Sequence, residues 1–146
     1  MSSPTLNPVL KAFWKTRTRN RVLYGGRSSS KSWDAAGMAI CLAQYTKLKI
    51  LCIRQFQNKI EESVYSLLKI QIERFGLKHD FEILKNKIRC RSTGSEFIFY
   101  GMARNFDEIK STESVDMCWI EEAHSLREDQ WRDLNPTIRK ENSQIW

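Results

Sequence analysis

The chain has 146 residues, of which 24 are Lys or Arg and 17 are Asp or Glu, and its net charge is +7. This length fits one domain, and a 41% hydrophobic content with seven Phe, five Trp and four Tyr excludes a disordered chain. No apolar run approaches the roughly 20 residues that span a membrane, and the first ten residues lack a secretory signal pattern. The four cysteines form no CxxC pair, which disfavours a zinc site or a disulfide framework, so we expect four buried, reduced thiols.

The excess positive charge lies at the N-terminal end. Residues 1–33 contain no acid and seven basic residues, namely Lys11, Lys15, Arg17, Arg19, Arg21, Arg27 and Lys31. A basic segment of this kind suits the phosphates of a nucleotide or of a nucleic-acid backbone. For the run from Lys11 to Arg21, a solvated surface without a partner is an equally open interpretation.

The first half of the chain alternates predicted helices and strands. Asn7 and Pro8 are typical of a helix start, with Asn as the cap and Pro in the first turn. The predicted elements are a short helix through Trp14, a buried strand at 21–24 ended by Gly25-Gly26, a buried helix at 30–45 and a strand at 49–53.

The second half continues the alternation. A helix face is predicted from the spacing of Ile60, Val64, Leu67, Leu68, Ile72 and Phe75, with Gly76 as its C-terminal cap. Further strands are predicted at 81–84, 88–91 and 96–100, which form a small meander, and at 115–120 and 143–146, with a helix at 126–139 that Pro136 breaks. The pattern indicates an α/β fold with a mainly parallel sheet and an antiparallel excursion.

A phosphate-binding loop is predicted where the strand at 21–24 meets the next helix. Residues 25–32 match the pattern GxxxxGK[ST], except that Ser30 replaces the second glycine. We expect Lys31 to reach the β- and γ-phosphates of ATP, Arg27 to lie beside the γ-phosphate and the Ser32 hydroxyl to bind Mg²⁺. The complete set of expected phosphate-binding residues is Gly25, Gly26, Arg27, Ser28, Ser29, Ser30, Lys31 and Ser32. A serine-rich turn with an incidental lysine is the alternative.

Two carboxylates follow the predicted strand that ends at Ile120. P-loop enzymes place an acid at the end of a strand beside the phosphate-loop strand, where it holds Mg²⁺. We assign this role to Glu121, and we assign to Glu122 the role of a general base that polarises the attacking water. Two ordinary surface acids are the alternative.

Together these motifs resemble the large subunit of tailed-phage terminases. The similarity covers residues 7 to 146 in order. It is carried by the phosphate loop, by Ile53-Arg54-Gln55-Phe56-Gln57-Asn58, by Ile109-Lys110-Ser111 ahead of the acidic strand at 116–123, and by Asn135-Pro136-Thr137-Ile138-Arg139-Lys140.

The resemblance implies a RecA-like ATPase of the additional-strand, catalytic-glutamate kind, which uses ATP and Mg²⁺ to drive double-stranded DNA into a phage head in the bacterial cytoplasm. It also implies a portal protein, a small terminase subunit and a homo-oligomeric ring as partners. Residues 1–146 are then the N-terminal ATPase domain, incomplete at its C-terminus, with the RNase H-like nuclease domain absent. Arg54 then faces the nucleotide or the next subunit, unless it is an ordinary surface arginine.

Two other functions stay open from the sequence: another RecA-like DNA translocase, and a truncated, non-hydrolytic prophage remnant that binds nucleotide or DNA. Several residues also have two interpretations. Packing is favoured over stacking on a base or adenine for Trp14, Trp33 and Trp131, and His124 is expected to be a neighbour of the site without a catalytic part. The run from Lys11 to Arg21 is a candidate for contacts to the DNA backbone.

Overall fold

A mixed β-sheet forms the centre of the protein in a computed structural model that describes residues 6–26, 30–104 and 106–146. In these residues the strand order is β2-β3-β4-β1-β5-β6. The strands are β1 (Lys49–Arg54), β2 (Phe81–Ile83), β3 (Lys87–Cys90), β4 (Glu96–Gly101), β5 (Met117–Ile120) and β6 (Gln144–Ile145). Strands β4, β1, β5 and β6 run parallel, whereas β2, β3 and β4 form an antiparallel meander. The predicted α/β class and the antiparallel excursion are therefore confirmed.

Helices cover both faces of this sheet. They are α1 (Lys11–Lys15), α2 (Lys31–Tyr45), α3 (Gln57–Ile60), α4 (Ser66–Arg74), α5 (Phe106–Ser111) and α6 (Glu128–Leu134). The predicted N-cap is confirmed, because the Asn7 side chain accepts a hydrogen bond from the backbone N–H of Val9. A π-helical turn (Glu61–Tyr65) joins α3 to α4, which the apolar spacing did not predict. The break at Pro136 is confirmed, since α6 ends at Leu134 and a 3-10 turn follows.

Two apolar cores lie on opposite sides of the sheet. Alternate residues of β1 face each core: Ile50 and Cys52 join the core under α2 and α4, whereas Leu51 and Ile53 join the core under α5 and α6. All four side chains are fully buried. A parallel strand that is covered on both faces has a continuous apolar run in its sequence, which is why β1 was predictable.

The predicted strand at Arg21–Tyr24 was wrong. The residue before this segment, Asn20, makes one parallel bridge to Ile145. The Arg21 N–H donates to the Ile145 carbonyl at 2.8 Å. Val22 and Tyr24 are 74% and 92% exposed. Among the described residues, pairing to β6 stops at Arg21, and Val22 to Tyr24 have no strand partner.

The expected position of the acidic strand also needs correction. Strand β5 does not lie beside the segment that leads into the phosphate loop, because β6 lies between them. Strand β6, which was predicted to begin a further core strand, pairs with β5 on one side and with Asn20 on the other. Strand β6 therefore lies between the acidic strand and the segment that leads into the phosphate loop.

The cysteines depart from expectation at one position. Cys52, Cys90 and Cys118 are buried, but Cys41 is exposed on α2, because Ile40 and Ala43 of that helix face the core instead. No helix among the described residues is long and apolar enough to cross a membrane.

Candidate nucleotide-binding site

A cavity of about 600 Å³ opens at the carboxyl ends of β1 and β5. In parallel α/β sheets this edge is where ligands bind, because loops and helix N-termini converge there. Predicted site residues from separate parts of the chain line the cavity, namely Gly25, Lys31, Ser32, Glu121 and Glu122. Arg54 and His124 line it as well.

The phosphate loop has a left-handed residue at its end. Ser30 precedes the first turn of α2 with φ of 60° and ψ of 9°, and its carbonyl accepts a hydrogen bond from the Asp34 N–H at 2.8 Å. Glycine adopts this conformation freely, whereas other residues adopt it at a cost of about 1–2 kcal/mol. The left-handed conformation explains why the pattern has a glycine at this position. Ser30 adopts the same conformation, but at the conformational cost that glycine avoids. A hydrogen bond from Asn7 Nδ2 to Ser30 Oγ, at 3.1 Å, holds the hydroxyl.

The lysine of the loop is held near its backbone. Lys31 Nζ donates to the Gly26 carbonyl at 3.3 Å. The first N–H groups of α2 have no partner within the helix, and they give this end of the helix the partial positive charge that attracts anions. Arg27, Ser28 and Ser29 were predicted to bind phosphate, and they lie outside the described residues.

Glu121 meets Ser32 across the cavity. Ser32 Oγ donates to Glu121 Oε1 at 2.5 Å, and the Trp119 indole N–H donates to Glu121 Oε2 at 3.2 Å. The Glu121 N–H is fixed by the Ile53 carbonyl at 2.9 Å, so β1 and β5 together position the carboxylate. The indole contact was not predicted from the sequence, although a tryptophan two residues before the acid lies on the same side of a strand.

Glu122 leaves the strand in a left-handed conformation, with φ of 55° and ψ of 47°. Adjacent side chains of a continued strand would point to opposite faces, whereas with this turn both Glu121 and Glu122 line the cavity. Glu122 Oε2 lies 3.3 Å from His124 Nε2, and both side chains are partly or largely exposed. An exposed contact of this kind contributes little stability, so Glu122 stays available at the cavity surface.

The cavity also has an aromatic wall. Phe13, Trp14, Tyr24 and Trp146 line it, and the Trp14 ring lies 4.8 Å from those of both Phe13 and Trp146. The wall was not predicted, because its members come from both ends of the chain.

The three tryptophans that had two interpretations all contact other side chains, and Trp14 also lines the cavity, so the choice between packing and stacking stays a prediction for it. Trp14 is buried, and Trp131 packs against the core under α5 and α6. Trp33 lies under the Arg74 guanidinium at 4.7 Å.

Two oxygen atoms of the site suit magnesium. Mg²⁺ prefers hydroxyl, carboxylate and water oxygens, and neighbouring ligands in an octahedron lie about 3 Å apart. Ser32 Oγ and Glu121 Oε1 would be the two groups that hold such an ion. Among the described residues there is no group of three or more His, Cys, Asp or Glu side chains that could hold a metal. The pair of Ser32 and Glu121 is thus a candidate metal site on the strength of its two oxygen atoms.

Buried thiols lie next to this site without entering it. Burial raises the pKa of Cys118 to about 12, and burial also raises the pKa of Cys52 well above its ordinary value. A thiol with so high a pKa stays protonated and is a poor nucleophile and a poor metal ligand. The chemistry of the cavity therefore rests on its oxygen and nitrogen groups.

The mainly parallel sheet with a cavity at its carboxyl edge is that of the RecA-like P-loop fold class. Solved structures share it: the large terminase ATPase domain of Thermus phage P74-26 has a TM-score of 0.75 at 17% identity over 97% of this chain and 63% of that one. The large terminase of a thermophilic bacteriophage, solved in complex with ADP, has a TM-score of 0.64 at 10% identity over 84% of this chain and 31% of that one.

The sequence comparisons identify the family. The model of the phage terminase large subunit family matches residues 17–146. The terminase large subunit of Bacillus phage SPP1 is 31% identical over 138 residues, which is 88% of this chain and 32% of that protein. The chain belongs to the phage terminase large subunit family. It spans about a third or less of the length of the curated relatives that it matches.

Proposed function

We propose that the chain is the ATPase part of a phage DNA-packaging motor, which hydrolyses ATP to move double-stranded DNA into a prohead. One observation carries the proposal: Ser32 Oγ at the start of α2 and Glu121 Oε1 at the end of β5 lie 2.5 Å apart, although 89 positions separate the two residues in sequence. A hydroxyl that follows the phosphate-loop lysine and an acid at a strand end are the two protein ligands of magnesium in P-loop NTPases. The family assignment supports the same function.

The proposed roles divide along the cavity. Phosphates are bound by Gly25, Gly26, Arg27, Ser28, Ser29, Ser30, Lys31 and Ser32. Lys31 and Arg27 stabilise the negative charge that develops on the γ-phosphoryl oxygens, and Glu122 accepts the proton of the attacking water. Ser32 and Glu121 hold Mg²⁺, which supplies neutralisation of phosphate charge when it is bound. The ADP complex of the thermophilic phage terminase supports an adenine nucleotide as the ligand.

The partners follow from the family and from the net charge of +7. We infer double-stranded DNA, a portal protein and a small terminase subunit, with the full-length protein working as a homo-oligomeric ring in the bacterial cytoplasm. We assign residues 1–146 to the N-terminal ATPase domain, and the 63% coverage of the P74-26 ATPase domain supports this assignment of part of such a domain. The nuclease activity of the family is not assigned to these residues.

Turnover of ATP tests the proposal directly. We expect Lys31→Ala to lower the rate of phosphate release by about 10²–10³-fold, because it removes a positive group from the developing charge. We expect Glu122→Gln to lower it by about 10²–10⁴-fold, because the amide cannot accept the proton. Phosphate release should be measured with and without duplex DNA.

Two variants control for loss of charge alone. Lys47→Ala and Glu113→Gln alter exposed residues away from the cavity, and each should keep the parental rate. If the chain binds ATP in a manner that depends on Lys31 but does not hydrolyse it, the nucleotide site is supported and the proposed hydrolysis is contradicted. Absence of both binding and turnover in folded protein would contradict the proposal.

A further inference from the structure

We propose that a basic groove on the edge of the sheet opposite the nucleotide cavity binds the phosphate backbone of double-stranded DNA. The groove has a volume of about 480 Å³, and its charged lining consists of Arg17, Arg19, Arg139 and Lys140. The identity of the partner as DNA rests on the proposed function. The location and the charge of the groove rest on the structure alone.

The groove and the ATP site lie at opposite ends of the parallel strands. Arg17 and Arg19 precede Asn20, which pairs in parallel with Ile145, and Arg139 and Lys140 precede β6. All four cations therefore lie at the amino-terminal edge of the parallel strands. The nucleotide cavity opens at the carboxyl-terminal edge instead. The groove is thus a second site with its own set of residues.

Arg19 contributes a fixed charge to the lining of the groove. Its Nη1 donates to the carbonyl and hydroxyl oxygens of Ser143 at 3.0 and 2.6 Å, and its Nη2 donates to the Asn135 carbonyl at 3.2 Å. These acceptors are neutral, so they orient the guanidinium without cancelling its charge. No described carboxylate forms an ion pair with Arg19.

Two further guanidinium groups remain available at the rim. Arg17 and Arg139 are exposed, and no hydrogen bond or ion pair to a described residue involves their side chains. Lys140 differs, because its Nζ lies 2.6 Å from Asp116 Oδ1 and that carboxylate balances its charge. Three arginines without an acidic partner among the described residues therefore make the groove electropositive.

The chemistry favours a phosphodiester backbone over an acidic protein surface. Guanidinium groups donate paired hydrogen bonds that match the oxygens of a phosphate. Protein partners are usually anchored by exposed apolar or aromatic side chains. None of the large exposed apolar side chains of the described residues lines this groove, and its one aliphatic lining residue, Ile138, is buried. Contacts to phosphates alone also give the sequence-independent binding that a translocating motor needs.

Binding to a short duplex of mixed sequence tests the groove. Fluorescence anisotropy should be measured across a salt series for the 146-residue chain, for Arg17→Gln/Arg139→Gln and for a matched control, Arg91→Gln/Arg104→Gln. The control removes the same charge from exposed arginines that line neither cavity. We expect the groove variant to lose about tenfold or more in affinity, and the slope of log K against log salt to fall by about 2, one unit for each lost phosphate contact.

Each outcome decides the proposal. Equal losses in both double variants, or no loss in the groove variant, would overturn it. Polyglutamate should be titrated in parallel, and groove-dependent binding of polyglutamate without binding of DNA would replace DNA by an acidic protein surface. ATP binding that depends on Lys31 should be measured on the same samples. If it persists while the groove effect is absent, the groove proposal fails and the proposed ATPase chemistry stands.

Discussion

Ser30 shows how one backbone angle explains a position of the phosphate-loop pattern. The residue has φ of 60°, where a Cβ atom is crowded, and its hydroxyl accepts a hydrogen bond from Asn7. Serine thus gives a polar contact but keeps a conformational cost that glycine lacks. The sequence alone suggested that a glycine was missing, but the reason became visible only with the backbone conformation.

A comparison of Ser30→Gly with Ser30→Ala isolates this cost. Both variants lose the hydroxyl, and only the alanine keeps a Cβ in the left-handed region. We therefore expect the glycine variant to have a free energy of unfolding about 1 kcal/mol higher than the alanine variant, after allowance for the greater freedom of glycine in the unfolded chain. Urea denaturation of the two proteins measures the difference. A more stable alanine variant would show that residue 30 does not adopt this conformation in solution.

At the scale of elements, the segment before α1 is fastened to α2. The Asn7 N–H donates to Asp34 Oδ2 at 2.9 Å, and Leu6 lies so close to Gly37 that a Cβ there would approach its Cδ2 to 2.6 Å. Asp34 is 1% exposed, and burial raises its pKa, although the Asn7 N–H and the charge of Arg74 oppose the shift. The start of the phosphate-loop helix therefore rests on a buried carboxyl group.

The raised pKa of Asp34 determines the direction in which the stability of the fold changes with pH. The folded protein holds this proton more tightly than the unfolded chain, so the stabilisation is present at low pH and is lost as the pH rises through the folded pKa. Asp34→Asn removes the titration and keeps an oxygen for the Asn7 N–H. We expect the stability of Asp34→Asn relative to the parent to increase from about pH 4 to pH 7.

Chemical denaturation at both pH values tests this expectation. Asp133→Asn is the control, because Asp133 is exposed on α6, on the face of the sheet opposite to the helix that carries Asp34. Its stability relative to the parent should change little with pH. A relative loss of stability for Asp34→Asn at neutral pH would indicate that the charge of Arg74 outweighs burial.

The helices and strands show which elements could be predicted from the sequence and which could not. Strand β1 and the helix face of α4 were predictable, because each carries a local apolar pattern. The segment at 21–24 has a similar apolar pattern, yet Val22 and Tyr24 are exposed there. Glu121 and Ser32 were predictable only because a motif links residues that the chain keeps apart.

The structural roles of two arginines lay beyond the sequence. Arg19 bonds to Ser143, and Arg21 bonds to the Phe13 carbonyl and to Gln144. Most of these partners are more than 100 positions away, and no local pattern connects them.

At the scale of the whole molecule, the cavity proposed to bind nucleotide is lined by segments from both ends of the sequence. Phe13 and Trp14 line it from the N-terminal side, and Trp146 lines it from the residue after β6. A ligand bound there contacts parts of the chain that unfolding would separate. Nucleotide binding should therefore stabilise the whole fold, because it favours the native state alone.

Thermal unfolding measures this linkage. At a ligand concentration of about 100 Kd, MgATP should add about 2.7 kcal/mol and raise Tm by roughly 5–15 °C for a domain of this size. Lys31→Ala should abolish most of the shift, and Lys47→Ala should retain it. A shift that persists in Lys31→Ala would place the nucleotide elsewhere.

The exposure of Cys41 has a practical consequence for spectroscopy. Three of the four thiols are buried, so a maleimide dye should attach first to the outer face of α2 without any mutation. The residue is exposed, but partial burial of its thiol raises the pKa of Cys41, so labelling should be carried out at mildly alkaline pH. The dye would lie about 15 Å along the helix from Lys31. A single fluorophore on the native sequence would then report how the helix behind the phosphate loop moves during each round of ATP binding and release.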